Sequence, residues 1–100
     1  MIKLTVLYGH PTDSAAFERY YAETHMPLTK KIPGPERFEA SLVVGTPDGS
    51  APAYYRVFEF WFSNTEQMGA SMGSPEGQAA VADLPNFATG GVTILVSEVS

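Results

Sequence analysis

Alternating apolar and polar residues predict four β-strands along this chain. In the first, IKLTVLY at residues 2–8, every second side chain is large and apolar, and Lys3 and Thr5 fall on the opposite face. The same reading places the other strands at residues 37–45, 53–63 and 90–99. Each is bounded by glycine- or proline-rich turns, as strands in a folded domain usually are.

Helical spacing of apolar residues predicts two helical regions between these strands. The first runs through residues 14–24, and its expected buried stripe is Phe17, Tyr20, Tyr21, Thr24 and Leu28. Pro27 is expected to bend or end this helix and to push Met26 out of helical geometry. The second region covers residues 66–72 and restarts at 74–84. The order β-α-β-β-α-β predicts an α+β, ferredoxin-like fold with a four-stranded antiparallel sheet.

Composition narrows the class of protein. A length of 100 residues suits a single domain spanning residues 1–100, and the absence of cysteine excludes disulfides and thiolate metal sites. A net charge of −5 argues against a nucleic-acid partner. No apolar run approaches the roughly 18 residues of a membrane span, and the N-terminus lacks signal-peptide features. We therefore expect a cytoplasmic protein without a membrane partner.

The predicted strands are apolar on both faces. Residues 53–63 place Phe58 and Phe60 on one side and Val57 and Trp61 on the other. Two helices in this fold cover only one face of the sheet, so the second face needs another cover. A second copy related by a two-fold axis would supply it, and we predict a homodimer. Scattered exposed hydrophobic residues on a monomer are the alternative.

Two longer segments resemble the EthD family. FERYYAETHMPLTKKIPG at 17–34 carries an aromatic-rich helix and a histidine, and SPEGQAAVADLPNFATGG at 74–91 carries a later Asp and a Phe before Gly-Gly. The resemblance implies a dimeric α/β barrel and a link to ethyl tert-butyl ether degradation. It also implies that His25 is the characteristic histidine of the family. Wider relatives include lactone isomerases, polyketide cyclases, cofactor-free monooxygenases and haem proteins.

His25 is the first candidate for chemistry. From spacing alone, it lies at the edge of the buried stripe near a helix end, where a histidine commonly interacts with free carbonyl groups. The resemblance favours a catalytic role instead. Glu59 is the second candidate, as a base or as the group that orients the imidazole; its alternative is an ion pair with Arg37 or Arg56. Asp83 is expected only to close the second helix.

Five aromatic residues are candidates for a substrate pocket, although aromatic core is the alternative for each. They are Tyr8, Tyr21, Tyr54, Trp61 and Phe87. No metal or cofactor motif is present, so we predict neither. We expect a small catabolic, cofactor-independent enzyme of isomerase, cyclase or oxygenase type, in which His25 acts as acid and base on a small hydrophobic carbonyl compound. The alternatives are a hydrophobic-ligand-binding protein without turnover and a haem-binding protein.

Overall fold

The computed structural model describes residues 1–100 and contains one four-stranded sheet with helices on one face. The strands are β1 (Ile2–Tyr8), β2 (Arg37–Leu42), β3 (Arg56–Phe62) and β4 (Val92–Glu98). The α-helices are α1 (Ser14–Tyr20), α2 (Met26–Thr29), α3 (Thr65–Gly73) and α4 (Pro75–Asp83). A π-helical turn (Tyr21–His25) joins α1 to α2, and a 3₁₀ turn (Leu84–Asn86) follows α4.

The sheet has the strand order β2-β3-β1-β4, and every neighbouring pair is antiparallel. Tyr8 at the end of β1 lies between Arg56 on β3 and Val92 on β4. The predicted α+β, ferredoxin-like fold is confirmed. None of its helices combines the length and the apolar character that crossing a bilayer requires.

The middle strands are shorter than predicted, and the loop between them folds on itself. The hydroxyl of Thr46 donates to the Ser50 carbonyl at 2.7 Å, and the Asp48 carboxylate accepts from the Ser50 backbone N–H at 3.0 Å. Local bonds of this kind favour a turn over strand pairing. β2 ends at Leu42 and β3 begins at Arg56. Tyr54, which the pattern placed inside β3, lies in the loop.

Helices cover the centre of the sheet and leave its edges open. A core cluster of 13 buried residues joins the helix-side face of β1 and β3 to the helices. Its strand members are Leu4, Val6, Tyr8, Phe58, Phe60 and Phe62. On the edge strand β4, Ile94 and Val96 point to the same face as Leu4 and Val6 but stay exposed. The apolar core therefore lies between the helices and the two central strands, β1 and β3.

The first helix passes through Pro27 instead of ending there. The backbone N–H of Met26 donates to the carbonyl of Tyr21, five residues earlier, and Met26 has helical dihedrals (φ −61°, ψ −38°). The expectation that Met26 leaves helical geometry is wrong, and the helix does not end at Pro27. A wider turn tolerates Pro27, whose missing N–H would break the bonding pattern of a regular α-helix. The helix then ends at Thr29.

Candidate functional site

The π-helical turn brings His25 into the protein interior. The apolar pattern predicted an inward stripe through Thr24 and Leu28, but the turn holds one extra residue, so the inward positions move to His25 and Thr29. His25 is only 5% exposed, whereas Thr24 faces solvent. The hydroxyl of Thr29 donates to the His25 backbone carbonyl at 3.2 Å. Wide turns of this kind occur often at functional sites.

A carboxylate meets the imidazole inside the fold. Nδ1 of His25 lies 3.0 Å from Oδ2 of Asp83, the last residue of α4, and both side chains are buried. The other carboxylate oxygen, Oδ1, accepts hydrogen bonds from the Tyr20 hydroxyl at 2.5 Å and from the Asn86 amide at 2.9 Å. Asp83 ends its helix as expected, but it also binds His25, a contact that the sequence pattern did not predict.

A signal for Asp83 was present in the sequence. A negative charge in the last turn of a helix opposes the helix dipole, and it is unfavourable unless another group compensates. A helix that ends on Asp83 with no basic residue in its last turn therefore calls for a partner elsewhere in the chain. Tyr20 and Asn86 carried no comparable signal, because a tyrosine in the buried stripe of a helix and an asparagine in a turn are both ordinary.

The electrostatics of the pair favour a neutral imidazole beside an ionised carboxylate. Burial lowers the pKa of His25, and the hydrogen bond and charge of Asp83 oppose that effect only in part. Burial on its own would raise the pKa of Asp83, but the hydrogen bonds from Tyr20, Asn86 and His25 outweigh it and hold that pKa below its ordinary value. At neutral pH, Nδ1 therefore carries the single ring proton and donates a hydrogen bond to the Asp83 carboxylate.

His25 forms part of the wall of an apolar cavity of about 250 Å³ between the helices and the sheet. The other lining residues are Leu4, Val6, Tyr8, Thr29, Ile32, Phe58, Phe60, Met72, Ala80, Val81, Leu84 and Ile94. The Thr29 hydroxyl already bonds a backbone carbonyl. The polar groups left for a ligand are Nε2 of His25, which makes no hydrogen bond in the protein, and the Tyr8 hydroxyl. Val81 and Ile94, each 43% exposed, mark the side where the cavity opens.

Aromatic rings fix the imidazole from its other sides. The centroid of Phe87 lies 4.6 Å from that of His25, and the centroid of Tyr21 lies 5.9 Å from it. The guanidinium of Arg56 stacks over Tyr21 at 4.7 Å and forms an ion pair with Glu18. Burial raises the pKa of Tyr21 to about 12, and its hydroxyl has no hydrogen-bond partner. Tyr21 and Phe87 thus contact the histidine without lining the cavity.

The remaining predicted site residues lie elsewhere. Glu59 forms an ion pair with Lys3 at 3.0 Å, on the face of the sheet away from the helices, so the structure does not bring it to His25. Strand alternation explains this, because Glu59 points opposite to Phe58 and Phe60. Trp61 shares the outer face, where the Arg37 guanidinium lies 4.0 Å from its ring. Tyr54 is 37% exposed and does not line the cavity.

The buried histidine makes the stability of the fold depend on pH. The pKa of His25 in the folded chain is below its ordinary value of 6.5, so the unfolded chain takes up the proton first as the pH falls. The free energy of unfolding should therefore decrease from about pH 6.5 downward and stop decreasing, for this group, below the folded-state pKa. The pKa of Asp83 is also lowered, so its protonation reduces the free energy of unfolding only at more acidic pH, below the ordinary pKa of 3.8.

Urea unfolding at about pH 7 and about pH 5 measures this dependence. The urea concentration at the wild-type midpoint should be lower at about pH 5 than at about pH 7. A His25→Asn variant should lose much of that difference. Equal pH dependence in the two proteins would show that His25 is not the group responsible.

Comparison with known proteins places this chain in a family. Residues 9–91 match the EthD domain. The chain is 41% identical over 98 residues to an uncharacterized 11.0 kDa protein from the thcB-thcC intergenic region of Rhodococcus erythropolis, covering 98% of this chain and 94% of that protein. A crystal structure of an EthD family protein from Bacillus halodurans has 35% identity and a TM-score of 0.92, with 100% of this chain and 99% of the other covered.

A more distant structure shares the fold alone. It is a dimeric protein of unknown function and ferredoxin-like fold from Bacteroides fragilis, with 18% identity, a TM-score of 0.69, and coverage of 98% of this chain and 95% of that one. Because the EthD domain match covers most of the chain and two relatives exceed 30% identity over almost its full length, the assignment does not depend on fold. The chain belongs to the EthD family.

Proposed function

We propose that this protein is a cofactor-independent enzyme that moves a proton on a small hydrophobic carbonyl compound, with His25 as acid and base. One observation carries the proposal. The hydrogen bond from Nδ1 to Asp83 leaves Nε2 of His25 as an unprotonated nitrogen on the wall of an apolar cavity. A neutral imidazole held in one tautomer by a carboxylate is a suitable general base near neutral pH.

The proposed step needs no oxidant. Nε2 takes a proton from the carbon next to the carbonyl, and the electron pair of that C–H bond forms an enolate. In a conjugated enolate, His25 then returns the proton to another carbon, which is isomerisation. Alternatively, the enolate carbon attacks a second carbonyl in the same molecule, which closes a ring, and the imidazolium of His25 protonates the alkoxide that forms. Asp83 stays ionised throughout and stabilises the imidazolium that forms.

Tyr8 is assigned to the enolate oxygen. Burial raises the pKa of Tyr8 above its ordinary value, so its hydroxyl stays protonated and can donate a hydrogen bond. A donor in a dry cavity stabilises a developing negative charge more than it would in water. A volume of about 250 Å³ with mainly aliphatic and aromatic walls suits a compact apolar compound. We place this compound in the breakdown of an ether or an aromatic, in keeping with the ethyl tert-butyl ether for which the family is named.

The exchange of α-protons for deuterium tests the proposal without knowledge of the natural substrate. Small cyclic ketones and unsaturated lactones serve as probes, and proton NMR in D₂O follows the loss of the α-proton signal. We expect the purified, metal-chelated protein to accelerate exchange beyond free imidazole at the same concentration. Binding of the probes without exchange would favour a ligand-binding protein. A Soret band that disappears with His25 would favour a haem protein.

We also propose that the protein is a homodimer joined through the sheet face away from the helices. Leu7, Val57 and Leu95 share that face, and Leu95 is 49% exposed. Several structural relatives are described as dimeric ferredoxin-like proteins, which supports the same arrangement here. A stable contact should bury more than about 1,000 Å² in total.

A charge on the outer face should break the dimer. Leu95→Lys puts a cation on the apolar face of the proposed contact, where its charge would lose water on association, so we expect a monomer in sedimentation at micromolar concentration. Val44→Lys is the matched control, because Val44 is 94% exposed in a loop. This control should sediment like the wild type, at twice 10.8 kDa. A wild-type monomer would contradict the proposal.

A further inference from the structure

The hydroxyl of Tyr20 makes a short hydrogen bond to the carboxylate behind His25. It donates to Oδ1 of Asp83 at 2.5 Å, within the range expected for a hydroxyl bound to an ionised acceptor. Tyr20 is the last residue of α1 and Asp83 the last residue of α4, so this bond ties the ends of two helices together. The Tyr20 ring also stacks on Phe87, with centroids 5.3 Å apart.

The two oxygens of Asp83 have separate partners. Oδ1 accepts from Tyr20 and from the Asn86 amide at 2.9 Å, whereas Oδ2 accepts from Nδ1 of His25 at 3.0 Å. Two donors on one oxygen prevent the carboxylate from rotating and leave a single oxygen facing the imidazole. These two donors also stabilise the negative charge of the carboxylate, so that less of it acts on His25.

We propose that Tyr20 is a positioning residue of the site: its hydroxyl, together with Asn86, holds Asp83 so that one oxygen meets Nδ1 of His25, and it weakens the pull of that carboxylate on the imidazole. The inference rests on the proposed function, because it assigns Tyr20 to the same site. It predicts that the basicity of Nε2 depends on a hydroxyl outside the cavity, since Tyr20 does not line the cavity wall.

Few other titratable groups face the pair. Tyr21 contacts the His25 ring from the same helix, and Tyr8 contacts Tyr21 from β1 at 5.8 Å. Arg56 of β3 lies over Tyr21 and is neutralised by Glu18. Tyr8 and Tyr21 stay uncharged because burial raises the pKa of each. Asp83 is therefore the only charged partner whose change can move the titration of His25.

Tyr20→Phe isolates the hydroxyl, because the ring can keep its stack on Phe87. In protein labelled with ¹⁵N-histidine and free of substrate, NMR titration follows His25, and a His10→Asn variant assigns the other histidine signal. With one donor removed, the Asp83 carboxylate carries more charge and stabilises the imidazolium better. We therefore expect the pKa of His25 to rise in Tyr20→Phe, and to rise also in Asn86→Ala.

Tyr55→Phe is the matched control. It removes a tyrosine hydroxyl that donates to a different carboxylate, that of Glu18, at 3.1 Å, so the titration of His25 should stay as in the wild type. An unchanged His25 pKa and tautomer in both Tyr20→Phe and Asn86→Ala would overturn the inference. The titration uses no substrate, so it is read independently of deuterium exchange. A shifted pKa without exchange activity would keep the role of Tyr20 and reject the enzyme.

Discussion

Replacing His25 with asparagine is expected to lower the exchange of α-protons by about 100-fold or more, the usual contribution of a positioned acid–base group. The amide nitrogen of asparagine lies near the place of Nδ1, so it can still donate to Asp83 and keep the buried carboxylate satisfied. What disappears is Nε2, the ring nitrogen of His25 that is not bonded to Asp83 and is available to a ligand in the cavity. The loss should therefore appear in the rate, with little change in the circular dichroism spectrum.

The same substitution at the other histidine is the control. His10 is bonded through Nε2 to the Pro52 carbonyl at 2.8 Å, in the loops at the end of β1, and it does not line the cavity. His10→Asn should exchange probe protons at the wild-type rate. If His25→Asn also does so, His25 only anchors a ligand, and the binding-protein alternative replaces the enzyme.

The fold could be predicted because its signal is local and repeated. Strand pairing follows from apolar alternation, and β1 pairs with both β3 and β4 over all seven of its residues, as a regular period of two requires. The predicted restart of the second helical region at residue 74 has a local cause too: Ser74 suits the cap and Pro75 the first helical position, and the Ser74 hydroxyl accepts from the Gly77 N–H. Each of these features depends on residues close together in the chain.

The site could be predicted only in part because its geometry depends on one inserted residue. A regular helix of 100° per residue puts His25 at the edge of the buried stripe, and the π-helical turn carries it inside. No propensity rule distinguishes a π-helical turn from a kink before Pro27, since both avoid a regular hydrogen bond at proline. The prediction of His25 came from family resemblance, and the residue spacing alone would have left it at the helix surface.

The partner of His25 was missed for a different reason. Asp83 is 58 residues away in the chain, and only the packing of α2 against α4 brings the two together. Glu59 was the apparent partner because an acid between two phenylalanines in a strand needs compensation. That compensation is Lys3 on the neighbouring strand, across the outer face. The pattern marked both acids as needing a partner but could not say which partner each one has.

Removing the carboxylate of Asp83 should be among the most destabilising single changes in this protein. Asp83→Ala leaves the Tyr20 hydroxyl, the Asn86 amide and Nδ1 of His25 without their shared acceptor; the contact with His25 is buried and the other two are partly buried. Leaving a buried polar group without its partner costs about 1–3 kcal/mol, and here three donors lose the same acceptor. We expect a loss of about 3 kcal/mol in the free energy of unfolding, measured by urea titration at neutral pH.

Asp83→Asn removes the negative charge of this side chain but keeps its size and shape. An asparagine has one oxygen for three donors, so at least one donor must face its NH₂ group, and the loss of stability should lie between those of the wild type and Asp83→Ala. The pKa of His25 should fall further, because burial then acts without the opposing carboxylate. Asp48→Ala is the control: Asp48 also accepts several hydrogen bonds, but in an exposed loop, so its loss should be much smaller. Equal losses for Asp83→Ala and Asp48→Ala would mean that the buried network around His25 contributes no more than a surface turn.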